Sequence, residues 1–247
     1  MTALATFVAP TAPAATLHRL QRLLSPVPSF DVFLPESPER HRVTQYIADQ
    51  FRAAHQANIH DFMPLLLSMR CQGQFKAVSG VRPAAGHELF LEQYLDQPVE
   101  AVLSQLSNGQ VERRKVMEVG NLVATQSGAS QLVFLLLTAL LHRCDFEWVV
   151  FTGTPVVIRG LERLGFRLEK LADADPSKLT SSKLSDWGRY YEQRPQVVAG
   201  NVAEGIRVLS EHKLYTAALA LFEQQIKQLA PIFRTPGLPY GTHAVTA

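Results

Sequence analysis

The stretch Met117-Glu118-Val119-Gly120-Asn121-Leu122-Val123-Ala124 places a carboxylate, a glycine and an amide in a run that otherwise has the pattern of a buried strand. In a regular strand, side chains three residues apart point to opposite faces, so Glu118 and Asn121 could not act together. A bulge near Gly120 adds one residue to the register and turns both toward one face, and glycine tolerates the bend. Two readings of the pair stand. In one, Glu118 pairs with an arginine inside the fold and Asn121 satisfies a loop. In the other, both face a cleft, where a carboxylate taken out of water acquires the raised pKa of a general base.

Past this strand, Thr125-Gln126-Ser127-Gly128-Ala129-Ser130 is a small-residue loop that opens an apolar helix. Free amides and the helix dipole would draw a phosphate there, although the loop lacks the Lys-Ser or Lys-Thr ending of the glycine-rich phosphate loop. Arg159 and Arg163, four apart on one helix, either contact such phosphates or form a solvated face. Arg82 is a surface ion-pair partner or a cleft cation. Glu92 and Asp96 have the spacing of an acidic pair on the wet face of a helix. The histidines and the two cysteines, Cys71 and Cys144, have no metal-ligand spacing, so no metal site is expected.

The elements that must position these groups follow from periodicity. Ser29 to Leu34 alternates and ends at Pro35, as a first strand does. Ser37-Pro38 predicts a helix start, and Val43, Tyr46, Ile47, Phe51 and Ala54 give that helix one buried stripe to about Gln56. Leu65–Cys71 and Phe75–Val81 flank Gln72-Gly73-Gln74 as a hairpin. Helical patterns follow at 87–95 and 99–106, then a strand at 115–124 and an apolar helix at about 129–142. A strand at 146–151, a helix at 155–164 ended by Gly165 and a strand at 166–171 come next. Trp187, Tyr190 and Tyr191 sit in an aromatic turn that caps the core or shapes a pocket, and helices are expected at 202–211 and 214–232.

The 247 residues carry a formal charge of +2, with basic residues scattered in short groups such as Arg113-Arg114-Lys115, so no nucleic-acid face is expected. The apolar run Leu132–Leu141 is about half of what a membrane span needs. Met1 to Ala15 lacks a basic stretch followed by a continuous apolar one, so no signal peptide is read and a cytoplasmic location is expected.

Several uncommon segments occur in one order: Leu89 to Asp96, Glu118-Val119-Gly120-Asn121-Leu122, Phe151-Thr152-Gly153-Thr154, Ala172-Asp173-Ala174-Asp175-Pro176, Trp187-Gly188-Arg189-Tyr190-Tyr191, and Pro195 to Gly200. With these, the chain resembles the thermostable hemolysin family, whose domain is related to the GNAT superfamily of N-acyltransferases and, within it, to acyl-homoserine lactone synthases. The resemblance implies an α/β fold: a GNAT-like mixed, mostly antiparallel sheet flanked by helices, over residues 28–200. A flexible arm at 1–27 would precede it and a C-terminal helical extension and tail at 201–247 would follow.

Such enzymes hold the pantetheine of an acyl donor against a bulged fourth strand that splays from the fifth, with its phosphates at the next helix start. Carried over, this makes Val119, Gly120, Leu122, Val123, Gln126, Gly128, Ala129, Ser130 and Arg159 the donor site. Gln126-Ser127-Gly128-Ala129 is one residue short of the superfamily's fuller signature, which leaves acyl-CoA and acyl carrier protein both open as the cosubstrate. No tightly bound cofactor is implied. Glu118 would be the base, and Asn121, Glu92 and Arg82 would complete an acceptor cleft for a small amine or amino acid. The alternatives are a haemolytic, membrane-perturbing protein and a non-catalytic acyl-binding domain. The C-terminal amphipathic piece at 214–232 would pack on the domain or on a second copy in a homodimer.

Overall fold

The computed structural model describes residues 27–125 and 128–234, apart from the side chains of Ser182 and Lys183. Residues 1–26 of the expected arm, Gln126 and Ser127 of the loop, and residues 235–247 of the tail lie outside the described residues.

Seven strands form one sheet in the order β1-β2-β3-β4-β5-β7-β6. They are β1 Ser29–Phe33, β2 Leu65–Cys71, β3 Gln74–Pro83, β4 Val116–Ala124, β5 Trp148–Gly153, β6 Glu169–Asp173 and β7 Gln196–Asn201. Every neighbouring pair is antiparallel except β4 and β5. The helices are α1 Arg40–His55, α2 Val99–Ser107, α3 Ala129–Arg143, α4 Pro155–Glu162, α5 Ser181–Asp186, α6 Val202–Glu211 and α7 Lys213–Phe233. This is the mixed, mostly antiparallel α/β architecture with terminal helices that the resemblance implies.

Strand alternation sorts the core. Met117, Val119 and Phe151 point to the face covered by α3, α6 and α7, with Leu136, Leu140 and Phe222 among their buried neighbours. Val78, Val116, Val150 and Val197 point to the other face, under α1 and the segments around α2. Glu118 has the parity of Val116 and therefore belongs to this second face.

The local signals explain most boundaries. Gln72 and Gly73 both have positive φ (51° and 74°), which a tight two-residue hairpin turn requires. Gly165, at φ +92°, ends the helical turn after α4 while the amide of Phe166 bonds back to Leu161 O at 3.2 Å.

Five expectations change. Helix α1 starts at Arg40 rather than Pro38, because the Ser37 hydroxyl turns back to accept from the Leu34 amide (2.8 Å) instead of capping. Ala54 is exposed, outside the stripe of Val43, Ile47 and Phe51. The expected helix at 87–95 is only a 3₁₀ turn, Phe90–Tyr94, since carboxylates take the amides of Leu89, Phe90 and Leu91 and the chain is extended again at Leu95. Strand β6 lies further along than 166–171, and β7, inserted between β5 and β6, is a strand that the periodicity does not predict; Pro195 and Gly200 frame its short buried run Val197-Val198-Ala199.

Two glycines face each other across β3 and β4, Gly80 opposite Gly120, and Met63 lies over both. A Cβ on Gly80 would stand 2.6 Å from Met63 Cβ and 2.9 Å from Asn121 Oδ1; one on Gly120 would meet Met63 Cε at 2.6 Å. The first contact is near the Met63 backbone, the second at the end of a flexible side chain. Gly80→Ala is therefore expected to destabilise the fold by about 1–3 kcal/mol and Gly120→Ala by less, as read by urea denaturation.

Candidate active site

The expected bulge exists. Val78 pairs with Val123 and Gly80 with Gly120, so three steps on β4 match two on β3. The extra residue is accommodated at Asn121, whose φ is +48°, not at Gly120. Asparagine is among the few residues that take this left-handed conformation readily. The bulge also ends the partnership with β5: pairing runs from Val116–Trp148 to Val119–Phe151 and no further. Beyond it β4 continues to Ala124 beside β3, while Thr152 and Gly153 pair with β7. The two parallel strands thus part as a V.

A cleft of about 180 Å³ occupies this V and reaches both faces of the sheet. Arg82, Glu118, Phe51, Trp187 and Tyr190 line it on one side; Phe134 of α3, Phe151 and Val157 line it on the other. Val119, Gly120, Asn121 and Leu122 form the β4 wall, and Thr152, Gly153 and Thr154 the β5 wall. Trp187 and Tyr190 pack with ring centroids 5.1 Å apart, and the Tyr190 hydroxyl donates to Thr152 O at 3.3 Å, so the aromatic turn shapes the pocket while also capping the core.

Glu118 is 2% exposed. Its Oε1 accepts from the Leu91 amide at 2.9 Å and its Oε2 from the Phe90 amide at 3.3 Å, with Arg82 Nη1 3.6 Å away. Register makes the ion pair: Arg82 and Glu118 are direct cross-strand partners. Burial pushes the Glu118 carboxyl up to about 6, against the opposing pull of Arg82 and the two amides. The carboxylate has its arginine, and it still lines a cleft with a raised pKa.

Asn121 works mainly on the chain that crosses the bulge. Its Oδ1 accepts from the Met63 amide at 2.7 Å and its Nδ2 donates to Asp61 O at 3.3 Å. Arg40 clamps the same strap, donating to Met63 O (2.7 Å), Pro64 O (2.8 Å) and Phe33 O (3.0 Å). The strap, 59–63, forms one wall of the cleft. Asn121→Gly keeps the left-handed backbone and loses both bonds, with an expected cost of about 1–2 kcal/mol and faster amide exchange at Met63.

The other expected residues separate. Glu92 and its neighbours belong to a different cluster: its carboxylate takes Arg113 at 2.7 Å and the amides of Leu89 (2.8 Å) and Val99 (2.9 Å), and it does not line the cleft. Burial would raise the Glu92 carboxyl, but the Arg113 guanidinium and these amides outweigh it and hold the pKa at about 2. Val123 is buried under α1 rather than on the cleft. Gly128 caps α3 with φ +82°, ahead of buried Ala129 and half-buried Ser130. Arg159 is exposed on α4 and is not among the cleft residues.

Phe51, His55, Phe134 and the strap carry no motif that would have marked them as cleft residues. Burial, with Arg189 adding to it, lowers the His55 pKa. Among the described residues, no group of three or more His, Cys, Asp or Glu could hold a metal ion, and no helix is long and apolar enough to cross a membrane.

A family model described as thermostable hemolysin matches residues 33–206, from β1 into α6 and across every cleft residue. The chain belongs to the thermostable hemolysin family. No curated protein matches it by sequence. Solved structures similar to this family member include the acyl-homoserine lactone synthase LasI, at 11% identity, covering 71% of this chain and 90% of that one with a TM-score of 0.49. The N-acyl amino acid synthase FeeM, from uncultured soil microbes, has 15% identity, 74% and 95% coverage and a TM-score of 0.48. The CoA-dependent acyl-homoserine lactone synthase BjaI, solved with SAM and isopentyl-CoA, has 10% identity, 81% and 90% coverage and a TM-score of 0.45. At these values the likeness assigns no activity to the thermostable hemolysin chain.

Proposed function

We propose that this protein is an N-acyltransferase that moves an acyl group from a thioester, acyl-CoA or acyl carrier protein, to a small amine or amino acid. The observation that carries this reading is the V between β4 and β5 with a buried carboxylate on its wall: Glu118 on a strand whose backbone past Val119 has no strand partner toward β5. The donor's pantetheine would lie along that free edge, at Val119, Gly120 and Leu122, with the start of α3 at Gly128, Ala129 and Ser130 toward its phosphates.

The chemistry balances without a further reagent. The acceptor arrives as an ammonium ion, Glu118 takes a proton, and the freed nitrogen attacks the thioester carbonyl carbon. The new C–N bond forms, the C–S bond breaks, and the thiol leaves with a proton. Backbone N–H groups of the bulged strand would stabilise the charge on the carbonyl oxygen. Arg82, a quarter exposed, would hold an anionic group of the acceptor while keeping Glu118 ionisable. Glu92 supports the turn that donates amides to Glu118, and Asn121 supports the strap.

Incubation with acyl thioesters and amines, followed by thiol release, tests the reading, with Glu118→Gln as the control. Release that needs both substrates is expected of the wild type. A surfactant acyl-amine product would also account for lysis by such a protein; lysis by the purified chain with no acyl donor present would count against acyl transfer as its cause.

A further inference from the structure

Behind the cleft lies a second, smaller pocket of about 40 Å³, between α3, α6, β5 and the segment joining α4 to β6. Leu137, Leu141, Val149, Leu161 and Phe166 give it an apolar wall. Its polar side chains are already engaged: the Thr138 hydroxyl donates to Phe134 O (2.8 Å), Arg167 Nε donates to Glu169 (3.0 Å), and the Asn201 side chain accepts from the Glu204 amide (3.0 Å). Packed interiors hold few such spaces, and an apolar one without free polar groups favours a hydrocarbon guest over water.

Two residues line both spaces, Phe134 of α3 and Phe151 of β5. Phe134 is half-buried and Phe151 buried, so their rings stand at the boundary between cleft and pocket. Glycines make room on either side of that boundary. A Cβ on Gly153 would come within 2.9 Å of the Phe151 ring, and one on Gly205 would stand 3.1 Å from both Phe166 and Thr138.

We propose that this pocket receives the far end of a linear saturated acyl chain whose thioester lies in the β4–β5 cleft, and that Phe134 and Phe151 set how far the chain extends. The inference rests on the acyl-transfer reading and narrows the donor to chains long enough to pass the two rings. Acetyl is too short to use the pocket.

Calorimetric titration of the full chain with CoA and with straight-chain acyl-CoAs from acetyl to tetradecanoyl tests it. Once the chain passes the rings, affinity is expected to rise roughly fourfold per methylene and then to level off. Leu137→Phe, which fills the pocket, should move that plateau to shorter chains with CoA affinity unchanged. Gly205→Ala narrows the pocket from α6 and serves where the first variant does not fold. Phe134→Ala should move the plateau to longer chains. The same plateau in all the proteins, with CoA binding retained, overturns the proposal. If no CoA thioester binds the wild type, acyl-CoA as the donor has failed, and 1-decanol then decides the pocket separately. Decanol binding that Leu137→Phe or Gly205→Ala loses keeps the assignment; equal binding in wild type and variant, or none, ends it.

Discussion

Replacing Glu118 by glutamine is expected to lower kcat/KM for amine acylation by roughly 10²–10⁴, the usual worth of a positioned base. The substitution removes the ionisable oxygen and leaves an amide of nearly the same shape. Its single oxygen still accepts from the Leu91 amide, held at 2.9 Å by the carboxylate, while the weaker bond from the Phe90 amide, at 3.3 Å, is lost. In the wild type, kcat/KM should fall as pH drops through about 6, where the buried carboxyl takes up its proton. That limb should vanish in the variant, while the amine's own titration, well above it, remains.

Stability moves with the opposite sign to activity. A carboxyl held at about 6 when folded and near 4.5 when unfolded favours the folded state most below pH 4.5. This contribution, about 2 kcal/mol, is lost as pH rises from there through 6. The neutral glutamine avoids the burial cost that the ionised carboxylate carries at pH 8, so the variant should melt within a few degrees of wild type there. Equal thiol release by wild type and Glu118→Gln, both folded, would remove Glu118 from the mechanism.

The second large effect lies away from the cleft. Arg113→Ala is expected to cost about 3–5 kcal/mol, on the order of 10 °C in melting temperature. Arg113 donates to Glu92 at 2.7 Å, to Glu100 at 2.6 Å, to Ala84 O at 2.9 Å and to His87 O. Alanine leaves Glu92, with its side chain only 12% exposed, facing two amides and no cation. It also unties the turn Phe90–Tyr94 whose amides hold Glu118. Glu92, at about 2 when folded, stabilises above its ordinary 4.5, and this is lost as pH falls from there through 2. Acid titration of the melting temperature should therefore show a drop in wild type that Glu92→Gln lacks. A melting temperature for Arg113→Ala within two degrees or so of wild type would show that the cluster is not a clamp.

Periodicity and punctuation were enough to place β1 to β5 and the helices α1, α3, α6 and α7 to within a few residues, because each has an apolar face of the right period or a Gly or Pro at its end. They were also enough to mark the 117–124 run, since a carboxylate and an amide in a buried strand need some local account. The bulge itself was legible; its seat at Asn121 was not. Gly120 is permissive, but the Met63 side chain of the strap already fills the space over it, and that contact joins segments far apart in the sequence.

Only the tertiary structure decided who pairs with whom. Glu92 and Glu118 are both carboxylates beside apolar residues in sequence, yet one meets Arg113 and is held acidic, and the other meets Arg82 at 3.6 Å and is pushed up by burial. The difference comes from strand register and from a turn that folds back over the sheet, at separations of 21 to 36 residues along the chain (Glu92–Arg113 and Arg82–Glu118). No spacing rule reaches so far, because the partner of a buried charge is fixed by which segments cross it. The cleft is of the same kind: its walls come from α1, the strap, β4, α3, β5 and the aromatic turn, and it exists because two parallel strands stop pairing at Val119 and Phe151.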